Sequence, residues 1–289
     1  MPSVVLIGGA TASGKSAVAL ELARAHGGEI VNADSMQIYA DLRVLTSRPS
    51  PKDEAEAPHH LFGVADGAEI WSVGRWLRAA QAVLGEIARR GRPAIVVGGT
   101  GLYLRALTHG LADIPAIPAE IRVKTEARFD ELGEDAFRAD LAKVDRAAAA
   151  RIAVGDRQRL TRALEVHAAT GKTLSDWQQE SQPPPMEGAW RGIIIEPPRE
   201  EIYRRCDARL ASMVDAGALE EVRRLMVRHV PPESPILKAL GVAPFAAHLR
   251  GDLALADALA RARTDTRHYA KRQLTWFRHQ TPDWERITP

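Results

Sequence analysis

The chain has 289 residues, 45% of them hydrophobic and 26% charged, with 39 Lys+Arg against 37 Asp+Glu and a net charge of +2. That apolar fraction with so little net charge excludes a disordered chain, and near-neutrality excludes a uniformly basic nucleic-acid coat. No stretch approaches the roughly 18 unbroken apolar residues of a membrane span, the N-terminal residues lack the basic region and cleavage site of a signal peptide, and the lone Cys206 points to a reducing, cytoplasmic setting.

In chain order, residues 4–9 (VVLIGG) form the first of four short apolar runs that read as buried parallel strands; the others are 29–34, 94–99 and 192–196. Helical periodicity covers 15–26 and 71–90 between them. Strands alternating with helices predict an α/β class, a P-loop-containing doubly wound parallel sheet. From about 113 the pattern turns all-helical, with helices expected over 118–132, 135–142, 145–153 and 156–170, several opening on Asp or Pro as helix starts require. Residues 181–185 (SQPPP) read as a stiff linker, a strand returns at 192–196, and the chain is helical from 199 almost to its end. The expected organisation is therefore 1–112 as the first part of the core, 113–185 as an all-helical insertion, and 186–289 as core completion followed by a helical C-terminal part.

Gly9-Ala10-Thr11-Ala12-Ser13-Gly14-Lys15-Ser16 fits G-x-x-x-x-G-K-[ST], a nucleotide-binding or ATP-binding signature. It follows a predicted strand and opens an amphipathic helix, the context that makes it credible. Small residues let backbone N–H groups converge on phosphate oxygens at the positive helix end. Lys15 adds a point charge and Ser16 a hydroxyl for Mg²⁺. The acid of a Walker B strand is harder to find. The 29–34 strand ends in Asp34 after an imperfect apolar run, and the 94–99 strand runs into Gly98-Gly99-Thr100-Gly101 with no acid. Asp34 and Thr100 at strand ends suit proton abstraction and a hydrogen bond to a leaving oxygen better than water activation for hydrolysis.

Several further blocks are collinear with the P-loop: NADSMQIY (32–39), TSRPS (46–50), PHHL (58–61), GGTGLYL (98–104), DRQRLTRALEV (156–166), TGKTLS (170–175) and RHYAKRQLTWFR (267–278). Together they resemble the tRNA dimethylallyltransferase (tRNA isopentenyltransferase) family almost end to end. The resemblance implies transfer of a five-carbon prenyl group from dimethylallyl diphosphate to N6 of the adenine next to the anticodon, releasing diphosphate. On this resemblance, residues 9–16 hold the donor diphosphate with Mg²⁺ on Ser16, and Thr46 and Arg48 add donor contacts. Asp34 is the general base, Thr100 hydrogen-bonds the bridging oxygen, and Ser35, Met36 and Gln37 shape the adenine pocket. Gln158, Arg159, Leu160, Thr161 and Arg162 match the family's tRNA-contact segment, Arg122 at the entry to the helical insertion is a further phosphate-contact candidate, and Lys271 and Arg272 lie on a basic helix with Arg267 and Arg278 expected to support the anticodon stem. Residues 261–280 carry six basic groups against one acidic. The implied partner is the tRNA anticodon arm, and the expected state is a monomer away from membranes.

Other residues are expected to be structural. His59 and His60 are adjacent with no Cys/His cluster beside them, Cys206 has no evident activating base, and Tyr269, Trp276 and Phe277 read as core. The sequence departs from the family pattern at Ala10, where Pro is usual and where Ala loosens the loop, at Ser47-Arg48, and at Leu240-Gly241-Val242-Ala243-Pro244. Prenylation of free adenine nucleotide, a P-loop small-molecule kinase and a non-catalytic RNA-binding protein are the alternatives. The helical insertion and basic C-terminal helix weigh against the first, the Asp34/Thr100 pairing against the second, and Asp34 itself against the third.

Overall fold

In the computed structural model, which describes residues 3–180, 186 and 188–288, the chain divides into two compact units. One comprises Met1–Thr108 with Met186–Pro289 and the other His109–Pro185. The linker expected at 181–185 lies outside the described residues.

The first unit is built on a six-stranded, wholly parallel sheet. Its strands are β1 (Val4–Gly9), β2 (Glu29–Asn32), β3 (His59–His60), β4 (Ala94–Gly98), β5 (Trp190–Ile195) and β6 (Glu285–Ile287), in spatial order β3-β2-β4-β1-β5-β6. The central strands β1 and β4 are almost wholly buried and rich in Val and Ile, which is why they read as continuous apolar runs without alternation. Ile7 pairs with Val97 on one side and Ile193 on the other. The edge strands β3 and β6 were not expected, because two or three residues carry too little pattern to register. His60 in β3 completes a buried cluster: Glu29, 2% exposed, takes Arg90 at 2.7 and 3.0 Å and His60 Nε2 at 2.7 Å. The Arg90 hydrogen bonds hold the Glu29 carboxyl below its usual range.

The helices of this unit are α1 (Lys15–His26), α2 (Pro51–Glu56), α3 (Val73–Arg89) and α4 (Gly101–His109), then, after the helical unit, α9 (Arg199–Asp215), α10 (Ala218–Val227), α11 (Val242–Leu249) and α12 (Leu255–Gln280). In the helical unit lie α5 (Ala119–Val144), α6 (Arg146–Arg151), α7 (Arg157–Thr170) and α8 (Leu174–Gln179). Within α5 the two helices expected over 118–132 and 135–142 meet at a kink at Gly133, whose φ of 72° and ψ of 170° leave the helical region. Asp145 and Asp156 cap α6 and α7, accepting from the N–H of Ala148 and Arg159 at 2.9 and 3.1 Å. Phe137, Leu141, Ala148, Leu160 and Ala163 form this unit's core.

The segment after β2 is pinned from α10. Glu221, 5% exposed, accepts the backbone N–H groups of Arg43, Val44 and Leu45 at 2.8–3.0 Å. Three charge-assisted bonds to one buried carboxylate make it the anchor of that turn. Glu221→Gln is expected to destabilise the fold by about 1–3 kcal/mol, seen as a lower urea midpoint at unchanged m-value. An unchanged midpoint would remove it as an anchor.

Candidate active site

The P-loop leaves β1 and enters α1 through two left-handed residues, Ala12 (φ 62°) and Gly14 (φ 94°). Gly14 takes that conformation without steric cost, whereas Ala12 needs outside support. Support comes from α9 and α12. Ala10 is fully buried against Ile202, Cys206 and Ala270, with Ala12 packed on the same cluster. The loosening expected from Ala at position 10 is therefore met by packing. The Thr11 N–H donates to Gln273 Oε1 at 2.8 Å, and Arg209 donates to the Thr11 hydroxyl.

Lys15 Nζ donates to the Ala10 carbonyl at 3.3 Å. Burial lowers its pKa to about 8, with Asp34 opposing and Arg209 adding to that shift. Arg209 is lowered chiefly by burial as well, and its Nε has no hydrogen-bond partner among the described residues. Two desolvated cations at one loop make a site that favours an anion carrying more than one negative charge. Ser16, one position into α1, is exposed and its hydroxyl makes no hydrogen bond among the described residues. Nor do these contain a group of three or more His, Cys, Asp or Glu that could hold a metal.

Asp34 is set by its own short segment. Asn32 is fully buried; its Oδ1 accepts the Asp34 N–H at 2.8 Å and its Nδ2 donates to the Asp34 and Leu61 carbonyls at 3.0 and 2.9 Å. This side-chain turn is why β2 stops at Asn32, two residues before the expected end. Trp76 Nε1 holds the Asn32 carbonyl at 2.8 Å and stacks on Tyr103 at 4.2 Å. Asp34 Oδ1 then accepts the Met36 N–H at 3.0 Å, while Oδ2 lies beside Gly99, 3.4 Å from where a Cβ would stand. Thr100 Oγ1 accepts the Ser35 N–H at 3.0 Å and lies 3.3 Å from Ser35 Oγ. Thus Asp34, Ser35 and Thr100, from two strand ends, form one cluster whose carboxylate acts electrostatically on the P-loop lysine.

Other expected site residues bond to backbone of their own segment. Gln37 Nε2 donates to the Thr46 and Ser47 carbonyls at 2.8 and 2.9 Å, and Thr46 donates to the Leu42 carbonyl. Arg48 donates to the Tyr39 and Ala40 carbonyls at 3.1 Å, and burial lowers its pKa. These bonds close the 37–48 loop on itself.

On α7, Gln158 and Arg159 are exposed and Arg162 is half-buried. Leu160, expected as a tRNA contact, is fully buried, and Thr161 is 6% exposed with its hydroxyl on the Arg157 carbonyl. The alternation follows helix geometry: a contiguous five-residue segment circles the axis, so part of it must face the core. Arg159 pairs with Asp156 at 2.7 Å, and Arg122 is exposed. On α12, Arg267 pairs with Asp207 and Arg278 with Glu196, whereas Lys271 and Arg272 are exposed without an ion pair among the described residues. Phe277 is core at 1% exposure; Tyr269 and Trp276 are half-buried. Cys206 is buried and its thiol pushed up by burial, the opposite of an activated nucleophile.

Arg209 and Gln273 were not expected at the site, and Tyr269 was expected in the core. Arg209 lies in an Arg-rich helix that has no spacing signal. Gln273 sits inside the RHYAKRQLTWFR block, whose basic residues carry the stronger signal.

The IPP transferase family model matches residues 37–280 and the isopentenyl transferase model residues 2–59. A tRNA dimethylallyltransferase of Phenylobacterium zucineum is 60% identical over 99% of this chain and 93% of its own length. One from a Caulobacter species is 59% identical over 98% and 92%. Among solved structures, a eukaryotic dimethylallyltransferase acting on tRNA superposes with a TM-score of 0.84 at 28% identity, covering 99% of this chain and 73% of that one. The Bacillus halodurans tRNA isopentenylpyrophosphate transferase gives 0.68 at 31% identity, over 99% and 89%. With a braced P-loop facing an Asp–Ser–Thr cluster and full-length relatives at this identity, the chain belongs to the tRNA dimethylallyltransferase (IPP transferase) family.

Proposed function

We infer that this protein transfers a dimethylallyl group from dimethylallyl diphosphate to N6 of the adenine next to the anticodon in tRNA, releasing diphosphate. The observation that carries the reading is the Asp34 carboxylate, held by Asn32 with Oδ2 free of that turn, at the cluster that faces a P-loop flanked by two desolvated cations, its own Lys15 and Arg209 of α9. Hydrolysis of a nucleotide has no comparable explanation for Thr100 and Ser35 beside that acid.

In this mechanism the P-loop amides, Lys15 and Arg209 bind the donor diphosphate and stabilise the charge that grows on it as the C1–O bond breaks. The N6 amine attacks C1, and its proton passes to Asp34 Oδ2 as the C–N bond forms. In this reading Thr100 turns its hydroxyl from Ser35 to hydrogen-bond the bridging oxygen. Mg²⁺ fits as an ion held by diphosphate oxygens, water and the Ser16 hydroxyl, since the protein offers that unengaged hydroxyl and no carboxylate cage among its described residues. When bound it would add charge neutralisation on the leaving group. The adenine has to be unstacked and turned outward, at a cost of a few kcal/mol, and backbone phosphate contacts would offset this.

Gln158, Arg159 and Arg162 on α7, Arg122 on α5, and Lys271 and Arg272 on α12 are the side chains proposed to make those contacts. Arg159→Ala with Arg162→Ala is expected to weaken tRNA binding and to lower the slope of log K against log[salt] by about 1–2. An unchanged slope would remove both from the interface. The direct test of function incubates the protein with labelled dimethylallyl diphosphate, Mg²⁺ and either unmodified tRNA or AMP. Label in tRNA alone supports the reading, label in AMP alone assigns nucleotide prenylation, and no label in either overturns both.

A further inference from the structure

The P-loop and the Gly99–Thr100 turn extend beyond the paired ends of β1 and β4, where ladder bonds no longer fix their spacing. Among the described residues no backbone hydrogen bond joins residues 10–13 to 99–100. One side chain spans the gap. Gln273 of α12, 6% exposed, accepts the Thr11 N–H through Oε1 at 2.8 Å and donates through Nε2 to the Gly99 carbonyl at 2.8 Å. A Cβ on Gly99 would lie 2.3 Å from that Nε2, so the approach requires glycine. The Tyr269 hydroxyl, one helical turn earlier on the same face, lies close enough to Gln273 and Thr100 to interact with both.

A primary amide has one carbonyl and two N–H groups, and here the carbonyl accepts the Thr11 N–H while one N–H donates to the Gly99 carbonyl, so both ends are engaged. This defines which end of the amide faces the P-loop: a backbone N–H can meet only the oxygen, and a carbonyl only the nitrogen. The Thr11 N–H is thereby taken away from phosphate binding and used to hold the loop. The two turns joined are the one that would carry the leaving diphosphate and the one that carries Thr100 beside Asp34.

We propose that Gln273, assisted by Tyr269, is a positioning residue that sets the distance between the diphosphate-binding loop and the Asp34–Thr100 cluster. The inference rests on the prenyl-transfer reading above. Breaking a C–O bond while forming a C–N bond demands alignment of donor and acceptor, and a displacement of about 1 Å can cost 10²-fold in rate. Gln273 touches neither reacting group, so its loss should appear in kcat and leave substrate affinity nearly unchanged.

The test compares wild type with Gln273→Met, which keeps length and apolar volume but removes both bonds, and Tyr269→Phe, which removes only the hydroxyl. Steady-state labelling of tRNA should show kcat lower by about 10²-fold for Gln273→Met and about 10-fold for Tyr269→Phe, with both KM values within about threefold. The double variant should be no slower than Gln273→Met alone, because the two act through one network. A folded Gln273→Met with near wild-type kcat, or a loss confined to KM, overturns the proposal. Should Gln273→Met fail to fold, Tyr269→Phe decides, and an unchanged kcat there overturns it equally. An inactive wild type overturns the functional reading and this proposal with it, whereas an active wild type with unaffected variants overturns the positioning role alone.

Discussion

Asp34→Asn is expected to slow prenyl transfer by about 10²–10⁴-fold while affinities for pyrophosphate and tRNA stay within about threefold. The substitution is chosen because Asn can still accept the Met36 N–H that Oδ1 accepts now, and the backbone of residue 34 remains clamped by Asn32. The turn should therefore survive and only the proton acceptor be lost. An exocyclic amine on an aromatic ring becomes acidic only as its bond to carbon forms, so a carboxylate at hydrogen-bond distance suffices as base. Single-turnover transfer from labelled donor, with tRNA binding measured in parallel, checks it. Transfer within tenfold of wild type would place the base elsewhere; lost tRNA binding would make Asp34 structural.

Lys15→Met should raise the Kd for pyrophosphate by about 10²-fold or more, the scale seen when one member of a buried, hydrogen-bonded charge pair is removed. The wild-type pH dependence gives a second, independent reading. Lys15 in the free protein has a pKa lowered to about 8 by burial, so above that pH it is neutral and binding an anion must first reprotonate it. Pyrophosphate affinity should fall as pH rises through about 8, and Lys15→Met should flatten that dependence. For stability the sign is opposite. The unfolded chain keeps the Lys15 proton up to about 10.5 and the folded chain loses it near 8, so the penalty for burying the charge is complete below 8 and vanishes as pH rises through that window. Titrations of wild type and variant by calorimetry at pH 7 and pH 9 separate the two effects.

The local signals in this chain were strong wherever the physics is local. Parallel strands buried on both faces read as runs of Val and Ile, and β1, β4 and β5 lie where those runs are. Asp145 and Asp156 cap the helices they precede, because a cap acts within three residues of itself. The P-loop is legible for the same reason: strand, small residues, lysine and helix are contiguous. Gly133 belongs with these, since it falls in the gap left between the helices expected over 118–132 and 135–142 and takes a φ of 72° there.

By itself, the sequence determined the α/β class, the phosphate loop, the family, and Asp34 and Thr100 as the pair to place opposite that loop. Only the tertiary structure decided which side chains are available. It sent Leu160 into a core, closed Gln37, Thr46 and Arg48 onto their own loop, and paired Arg267 with Asp207, 60 residues away, leaving Lys271 and Arg272 unpaired among the described residues. It also brought Arg209 and Gln273 onto Thr11, across 198 and 262 residues. Spacing rules follow the period of one helix or strand and reach about a turn. Contacts between elements depend on how those elements pack, and no local period records that.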